Sequence, residues 1–257
     1  MKIGVLLKQT PDTGTTIKVK SDASGIEEEG IKWVINPYDE YAVEESLRIK
    51  EKLGAGEVVI VSVGLKRAND AIRQAMAMGA DRGIRIDVEN QKTDGYLVAL
   101  ALSKIVSQEK FDLVMAGKQA VDDDAVTVPH GVAETLGWPC VWPVDHVALN
   151  DDKKSLTVSR PIPGGAEMIE VTLPGIICCD KGENEPRYAS LPGIIKAKSK
   201  PLSELKISDF IGGEAVLIET SGFALPPERQ AGKILEGEVE DVCGKLVKLL
   251  REEAKVI

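Results

Sequence analysis

The sequence has few of the residues that mark proteins binding nucleic acids. Aromatic residues make up 4% of the 257 residues, so there are few side chains on which bases could stack. The formal net charge is −9, with 32 Lys and Arg against 41 Asp and Glu, which opposes binding to a phosphate backbone. Nucleic acid is therefore not expected as a partner.

Cysteine and histidine are also scarce. The four cysteines show no C-x-x-C spacing, and only two histidines are available, so a zinc site is not expected. Cys178 and Cys179 are adjacent in a predicted strand and should point to opposite faces of the sheet. We expect all four cysteines to be reduced core thiols, as in a reducing compartment.

Long apolar runs are missing as well. No run approaches the roughly 20 residues that a membrane-spanning helix needs. In the first segment, MKIGVLLKQTPD, charge and proline follow too soon for a signal peptide, and Ile3–Leu7 is better interpreted as a strand. These features predict a protein of the cytoplasm, or of the mitochondrial matrix if the source is eukaryotic, without membrane insertion.

Apolar runs and helical patterns alternate over the first two thirds of the chain. Strands are predicted over Lys2–Leu7, Val58–Gly64, Gly83–Val88 and Asp112–Gly117. Helices are predicted over Tyr38–Leu53, Ala68–Met78 and Gly95–Val106, with Asn36 as a candidate N-cap for the first. This alternation predicts an α/β fold: a mainly parallel sheet flanked by helices, of the Rossmann-like, adenine-nucleotide-binding kind.

Several additions to this fold are expected. They are a β-hairpin of Thr15–Val19 with Ile31–Ile35, strand pairs between 147 and 179, and a final amphipathic helix over Val239–Glu253. We expect one α/β domain over 1–200 and a C-terminal arm over 201–257. Such an arm needs a surface to pack on, which its own domain or a second chain would supply.

The carboxyl ends of parallel strands are where this fold class binds ligands. The most informative of them leads into AGKQAVDDDAVTVPHG, residues 116–131. Backbone N–H groups at the start of the next helix, around Val126–Val128, could face an anion, with Asp124 as the helix cap. The plainer interpretation is a capped helix start beside a solvated acidic loop, and composition alone leaves both open.

No catalytic motif is present in the sequence. It lacks G-x-x-x-x-G-K-[ST], G-x-G-x-x-G and G-x-S-x-G, and His130 is more simply a surface histidine than a base. Nothing is therefore available to activate a nucleophile. We expect a protein without catalytic residues of its own, which leaves any chemistry to a cofactor.

Four segments carry a resemblance to a known family. They are NPYDEYAVEESLRIKE (36–51), AMAMGADRGI (75–84), GKQAVDDD (117–124) and NEPRYASLPGIIKAKSK (184–200). On these motifs the chain resembles the beta subunits of electron transfer flavoproteins over essentially its full length. Pro163 departs from the family pattern, since an acidic residue is usual there.

The resemblance implies an electron carrier of fatty acid oxidation. Such a beta subunit pairs with an alpha subunit that holds most of an FAD, and the heterodimer takes electrons from acyl-CoA dehydrogenases to a membrane quinone oxidoreductase. It also implies a bound AMP. The implied cofactor-binding residues are Leu6, Asn36, Val63, Asp122, Asp124, Ala125, Val126, Thr127 and Val128, with Tyr38 beside the flavin.

Two alternatives remain at this stage. Bifurcating members of the family bind a second FAD in place of AMP, but Asp123 stands where they carry a glycine, and its side chain would crowd a longer ligand. The other alternative is a nucleotide-hydrolysing domain of similar fold, which the missing phosphate-binding lysine motif disfavours.

The basic, apolar segment 184–200 resembles the family's recognition loop for partner dehydrogenases. The resemblance makes Leu191 the anchor residue, and a single apolar anchor can dominate a small interface. Arg187, Lys196, Lys198 and Lys200 would add electrostatic steering, which acts mainly on the association rate. On the plainer interpretation, Leu191, Ile194 and Ile195 pin a short helix to the body of the protein.

Overall fold

The structure, a computed structural model, describes residues 1–89, 91–228 and 231–257. Its strands are β1 (Lys2–Leu6), β2 (Gln9–Pro11), β3 (Trp33–Ile35), β4 (Glu57–Val63), β5 (Arg82–Asp87), β6 (Leu113–Gly117), β7 (Cys140–Val144), β8 (His146–Leu149), β9 (Ser155–Ile162), β10 (Gly165–Thr172), β11 (Gly175–Cys179) and β12 (Leu202–Lys206). Its helices are α1 (Pro37–Leu53), α2 (Ala68–Met78), α3 (Gly95–Glu109), α4 (Thr127–Leu136), α5 (Leu191–Ser199) and α6 (Val239–Glu252).

A seven-stranded parallel sheet is the centre of the fold, in the order β12-β5-β4-β1-β6-β11-β7. Both of its faces are covered, which explains why the strands are continuous apolar runs. In β4, Val58 and Ile60 pack with α1 and α2, whereas Val59 and Val61 pack with α3 and α4. The predicted α/β class is confirmed.

The predicted helices form close to their predicted bounds. The helix α2 spans Ala68–Met78 as predicted, α1 starts one residue early at Pro37, and α3 continues to Glu109. Cys178 packs with the cluster of α3 and α4 and Cys179 with that of α1 and α2, which confirms that they point to opposite faces. All four cysteines are free thiols in the structure, but the prediction that all four lie in the core is wrong, since Cys243 is exposed on α6 and Cys140 is only half-buried.

The predicted hairpin of Thr15–Val19 with Ile31–Ile35 is wrong in its first strand. The segment that pairs with β3 is β2, directly after β1, with Gln9 opposite Ile35. The chain leaves β1 and reaches β3 within three residues. The hydrogen bond from Asn36 N to Lys8 O, at 2.9 Å, fixes the register of β2 against β3.

Of the strand pairs predicted between 147 and 179, the hairpin of β8 with β9 forms, but the pair or bent strand predicted over 166–179 is wrong, because β10 pairs with β9 and not with β11. The arm begins with an unexpected strand. The strands β8, β9 and β10 make a separate antiparallel sheet, and β11 returns to the main sheet. Residues 202–206, which lie within the predicted arm, form β12 at the edge of the main sheet beside β5.

The chain divides into two compact units. One comprises 1–17 and 27–221, and the other comprises 18–26 and 222–257. The second contains α6, an amphipathic helix in which no residue is buried within this chain. In the described part of the chain, every helix is too short or too polar to be a candidate membrane span.

Candidate functional site

A cleft opens at the point where the strand order of the main sheet reverses. In the main sheet, β4 and then β5 lie on one side of β1, and β6 and then β11 lie on the other side. The ends of three neighbouring strands, at Leu6, Val63 and Gly117, line the cleft. Its volume of about 340 Å³ lies at the lower end of the range for small-molecule sites. This is the position where open α/β sheets bind ligands.

Most of the predicted cofactor-binding residues come together here. Those that line the cleft are Leu6, Asn36, Val63, Ala125, Thr127 and Val128. The described lining does not include Asp122, Asp124 or Val126, which belong to the adjoining loop, nor Tyr38. Lys8 and Asp39 are among the lining residues that were not predicted from the sequence.

Asn36 and Asp39, here called the strand-end clamp, hold the edges of the cleft together. Asp39 Oδ2 accepts a hydrogen bond from Lys8 N at 2.7 Å, and its Oδ1 accepts from Gly117 N at 3.0 Å. Asn36 Nδ2 donates to Asp39 Oδ1 at 2.9 Å and to Gln119 O at 2.9 Å. Two side chains from the start of α1 therefore join the ends of β1 and β6. Asn36 occupies the N-cap position of α1 as predicted, but its side chain makes no capping hydrogen bond to the helix.

Burial strongly affects the ionisation of the clamp. It raises the pKa of Asp39 to about 7, although the N–H donors of Lys8, Asn36 and Gly117 act in the opposite direction. Because the folded pKa lies above the ordinary value of 3.8, the folded chain binds this proton more tightly than the unfolded chain. The contribution of Asp39 to stability is therefore fully present below pH 3.8 and lost as the pH rises through about 7.

Asp39→Asn tests this linkage. Relative to the variant, the native chain should lose stability between pH 4 and 7 by up to about 1.4 kcal/mol per pH unit, the slope for one proton. Urea unfolding of both proteins across this range gives the difference directly, since groups common to both cancel. A difference that is flat, or that grows with pH, would contradict the raised pKa.

The acidic loop 118–126 is organised by internal contacts. Lys8 Nζ lies 2.7 Å from Asp122 Oδ1 and 3.1 Å from Asp123 Oδ2, so it offsets two of the three adjacent carboxylates. Asp123 Oδ1 also accepts from Ala125 N at 3.0 Å. The loop therefore presents less negative charge to the cleft than its composition suggests.

The prediction that Asp124 caps α4 is wrong. Asp124 has a left-handed backbone with φ of 50°, and its Oδ1 accepts from Gln119 Nε2 at 2.7 Å. Val126 occupies the N-cap position, and within the described residues no side chain caps α4 there. The first N–H groups of the helix, at Thr127 and Val128, therefore lie at the cleft without a side-chain cap at that position.

The start of α3 also lines the cleft, which the sequence analysis missed. It contributes Thr93–Gly95, and Asp94 caps α3 by accepting from Leu97 N at 2.9 Å. A Cβ added to Gly95 would lie 3.1 Å from Thr127 Oγ1, so the first turns of α3 and α4 are close neighbours. Two helix N-termini thus converge. The Asp94 carboxylate already occupies that of α3, so the uncapped start of α4 is the one that favours a bound anion. The sequence signal for this helix start was the Asp94-Gly95 pair directly before an apolar helical run.

The donors and acceptors at the cleft fit a mononucleotide. Uncapped backbone N–H groups of Thr127 and Val128 and the Lys8 ammonium suit a phosphate. The amide of Gln119 and the Asp123 carboxylate supply polar partners for ribose hydroxyls, and Leu6 and Val63 supply apolar surface for a base. The described residues contain no group of three or more His, Cys, Asp or Glu able to hold a metal ion.

Tyr38 lies beside the cleft on the other side of the clamp. Its ring is half-buried, and Lys118 Nζ stands 4.7 Å from the ring centroid. The same ammonium pairs with Asp180 at 3.0 Å, so the ring and the cation are held in place together. An aromatic face beside a fixed positive charge suits a contact with an electron-rich ring system.

The predicted docking segment forms the short helix α5. Ser190 caps it by accepting from Gly193 N at 3.1 Å. Leu191 is 72% exposed and Ile195 is 62% exposed, whereas Ala197 is buried. The pinning of the helix by isoleucines is therefore not observed. Instead, Gly193 allows close packing on α2, since a Cβ there would come within 2.4 Å of Ala77 O.

Two of the predicted steering residues are occupied within the chain. Arg187 binds Glu44 at 2.7 Å and Glu51 at 2.5 Å, and Lys200 Nζ donates to the carbonyl oxygens of Met76 and Ala80 near the end of α2. They fasten the two ends of the segment to α1 and α2.

Lys196 and Lys198 are the predicted steering residues whose side chains lie on the exposed surface of α5. The contacts of Arg187 and Lys200 hold the segment in place, whereas Lys196 and Lys198 remain on its exposed surface.

Arg187→Gln is expected to lower stability by about 1–3 kcal/mol. It removes one of the two cations paired with the Glu44 side chain, which is 2% exposed. Arg48 Nε remains 2.7 Å from Glu44 Oε1, so the buried carboxylate loses part of its compensation and keeps the rest. The effect is reduced because the Arg187 side chain is 33% exposed. Lys198→Gln, on the exposed surface of α5, is the control and should change stability by less than about 0.5 kcal/mol. Thermal or urea unfolding measures the stability of both variants. Equal losses of stability would argue against a role of Arg187 in fastening the segment to α1.

Comparison with known proteins places the chain in a family. Residues 24–210 match the model of the electron transfer flavoprotein domain. The chain is 39% identical to electron transfer flavoprotein subunit beta of Bacillus subtilis over 262 residues, covering 100% of both chains. It is also 39% identical to the mitochondrial subunit beta of Arabidopsis thaliana, again over 100% of both, and to subunit beta of Homo sapiens over 98% of both. The chain therefore belongs to the family of electron transfer flavoprotein beta subunits.

Proposed function

We propose that this chain forms half of a heterodimeric electron carrier and performs no bond-making of its own. The observation that carries the proposal is the nucleotide-sized cleft at the β1/β6 switch point, combined with an exposed apolar helix, α5, on the same domain. The cleft would hold a structural nucleotide, and the helix would meet redox partners. FAD, held mostly by the alpha subunit, supplies reversible electron acceptance when it is bound.

AMP is the proposed occupant of the cleft. The backbone N–H groups of Thr127 and Val128 and the ammonium of Lys8 would hold its phosphate. The strand-end clamp would keep the walls of the cleft at a fixed separation. Preorganisation of this kind raises affinity because little ordering remains to be done on binding.

A second FAD is the alternative occupant, and two observations disfavour it. The cleft volume of about 340 Å³ suits a mononucleotide better than a dinucleotide. The Asp123 side chain is fixed by Ala125 N and Lys8, so it cannot turn aside easily to admit a longer ligand. AMP is therefore preferred.

The flavin of the partner subunit would lie near Tyr38. The ring and the Lys118 ammonium would together face a flavin edge, where a positive charge stabilises added electron density. The alpha subunit would also cover the apolar stripe of α6, which includes Leu246 and Leu249, as the predicted arm over 201–257 requires.

The proposed electron donors are acyl-CoA dehydrogenases, and the proposed acceptor is a membrane quinone oxidoreductase. A carrier must bind and leave each partner quickly, which favours a small interface with one apolar anchor. Leu191 would be that anchor, and Lys196 and Lys198 would speed the encounter. Family membership alone does not name these partners, so both partner classes are part of the proposal.

Co-expression with a candidate alpha chain tests the proposal. We expect a yellow 1:1 complex whose flavin absorbance bleaches when an acyl-CoA dehydrogenase and its substrate are added. A colourless chain that stays monomeric beside the alpha chain and cleaves ATP would instead support the hydrolase alternative. A yellow complex that no dehydrogenase of this class reduces would refute the proposed partners and leave the cofactor assignment intact.

A further inference from the structure

Two thiols lie close together at one edge of the main sheet. Cys140 opens β7 and Cys178 lies in the neighbouring strand β11, and their Sγ atoms are 3.9 Å apart. The pairing of these strands is irregular between Ile177 and Cys179, so Cys178 falls at a break in the ladder. Cys140 is the register partner of Ile176, so the two cysteines form a diagonal pair, and an irregularity of this kind re-aims nearby side chains.

The two thiols differ in access and in acidity. Cys140 is half-buried, whereas Cys178 is fully buried. The hydrogen bond between them lowers the pKa of Cys140, although burial acts against this, and both that hydrogen bond and burial raise the pKa of Cys178. Cys140 therefore has the properties of an attacking thiol, and Cys178 those of a protected thiol within its reach.

The other two cysteines provide internal references. Cys179 is buried on the opposite face of the sheet, and Cys243 is exposed on α6. Neither has a hydrogen bond to another thiol within the described residues. The arrangement at Cys140 and Cys178 is thus specific to one pair.

We propose that Cys140 and Cys178 form a reversible thiol–disulfide site that reacts with hydroperoxides. The Cys140 thiolate attacks one oxygen of hydrogen peroxide, which breaks the O–O bond and gives a sulfenic acid and one water. The Cys178 sulfur then attacks the Cys140 sulfur, and the sulfenic hydroxyl leaves as a second water. Two thiols and one peroxide thus give one disulfide and two waters. The sulfur atoms must close from 3.9 Å to about 2.0 Å.

The cysteine pair is connected through Lys118 to Tyr38, whose ring the Lys118 ammonium contacts. Trp142, two residues after Cys140, donates from Nε1 to Lys118 O at 2.7 Å, and Lys118 N donates to Cys179 O at 2.8 Å. Closing the disulfide would therefore pull on both strands that support Lys118. Oxidation should change the tryptophan fluorescence of the chain, because Trp142 is attached to the strand that moves.

Peptide mapping of the full-length chain after peroxide treatment tests the proposal. The reduced protein is exposed to a small molar excess of hydrogen peroxide, its remaining thiols are blocked with iodoacetamide, and it is digested without reductant. The expected product joins the peptides of Cys140 and Cys178, lacks two hydrogen atoms, and disappears on treatment with dithiothreitol. Before oxidation, Cys140 should be alkylated at least about tenfold faster than Cys179.

Matched variants define the result. Cys243→Ser and Cys179→Ala should retain the linkage, and Cys140→Ser should abolish it while leaving the fold intact, since that side chain is only half-buried. In Cys178→Ser, a dimedone adduct should accumulate on Cys140. A native chain in which Cys178 becomes joined to a cysteine other than Cys140, or in which Cys140 is oxidised to sulfinic acid with no linkage, would overturn the proposal.

Discussion

Gly117→Ala should empty the cleft of nucleotide and destabilise the fold. A Cβ at this position would lie 2.3 Å from Asp39 Oδ1, 2.7 Å from Tyr38 Cβ and 2.8 Å from Asp39 N. The start of α1 would be pushed away from the end of β6, and the hydrogen bond from Gly117 N to Asp39 would be lost. We expect a loss of about 2–4 kcal/mol in stability. Nucleotide affinity should fall at least about tenfold.

Gly64→Ala is the matched control for this experiment. Gly64 follows β4 as Gly117 ends β6, but a Cβ there would meet only Ala68 Cβ, at an ordinary 3.5 Å. The free energy of unfolding from urea titration and the nucleotide retained after desalting should both stay near the native values. If Gly117→Ala and Gly64→Ala lose stability and nucleotide to the same extent, the contact between Gly117 and the strand-end clamp does not organise the cleft.

Leu191→Ala should slow reduction of the flavin by a partner dehydrogenase about thirtyfold. That factor corresponds to about 2 kcal/mol, the threshold for a residue that dominates an interface. The side chain is 72% exposed and makes little contribution to packing within the chain, so folding and the flavin spectrum should not change. Stopped-flow reduction by a dehydrogenase, at concentrations below saturation, measures the effect.

Leu217→Ala is the control because its side chain is 71% exposed and chemically identical. A general effect of removing surface leucines would appear in both variants, whereas an effect of docking would appear only in Leu191→Ala. Native-like kinetics in Leu191→Ala would remove the docking role from α5. A loss of colour in that variant would show instead that Leu191 contributes to assembly.

The main sheet and the location of the cleft could be predicted because both depend on local pattern. Buried parallel strands are apolar runs, and their carboxyl ends must lie on one edge, so Leu6 and Val63 could be placed together from the pattern. Asn36 follows β3, outside the main sheet, and its place at the cleft was implied by the family resemblance. The residues 127–128 followed from the rule that helix N-termini attract anions.

The residues that were missed or misplaced depend on contacts between distant segments. Asp39 is one acidic residue in the first turn of a helix, a position that usually faces solvent, and only the folded chain puts it between Lys8 N and Gly117 N. Asp124 was an ordinary cap candidate until its left-handed backbone was known. Arg187 is basic in a basic segment, but its role depends on two carboxylates of α1 more than 130 positions away in sequence.

The most direct test of the account is the nucleotide content of the complex with the alpha chain. Acid release followed by chromatography should give one AMP and one FAD for each pair of chains. Two FAD and no AMP would show that the cleft takes the longer ligand, in spite of Asp123 and the small volume. A complex with one FAD and no second nucleotide would contradict the central claim that the β1/β6 cleft is a nucleotide site.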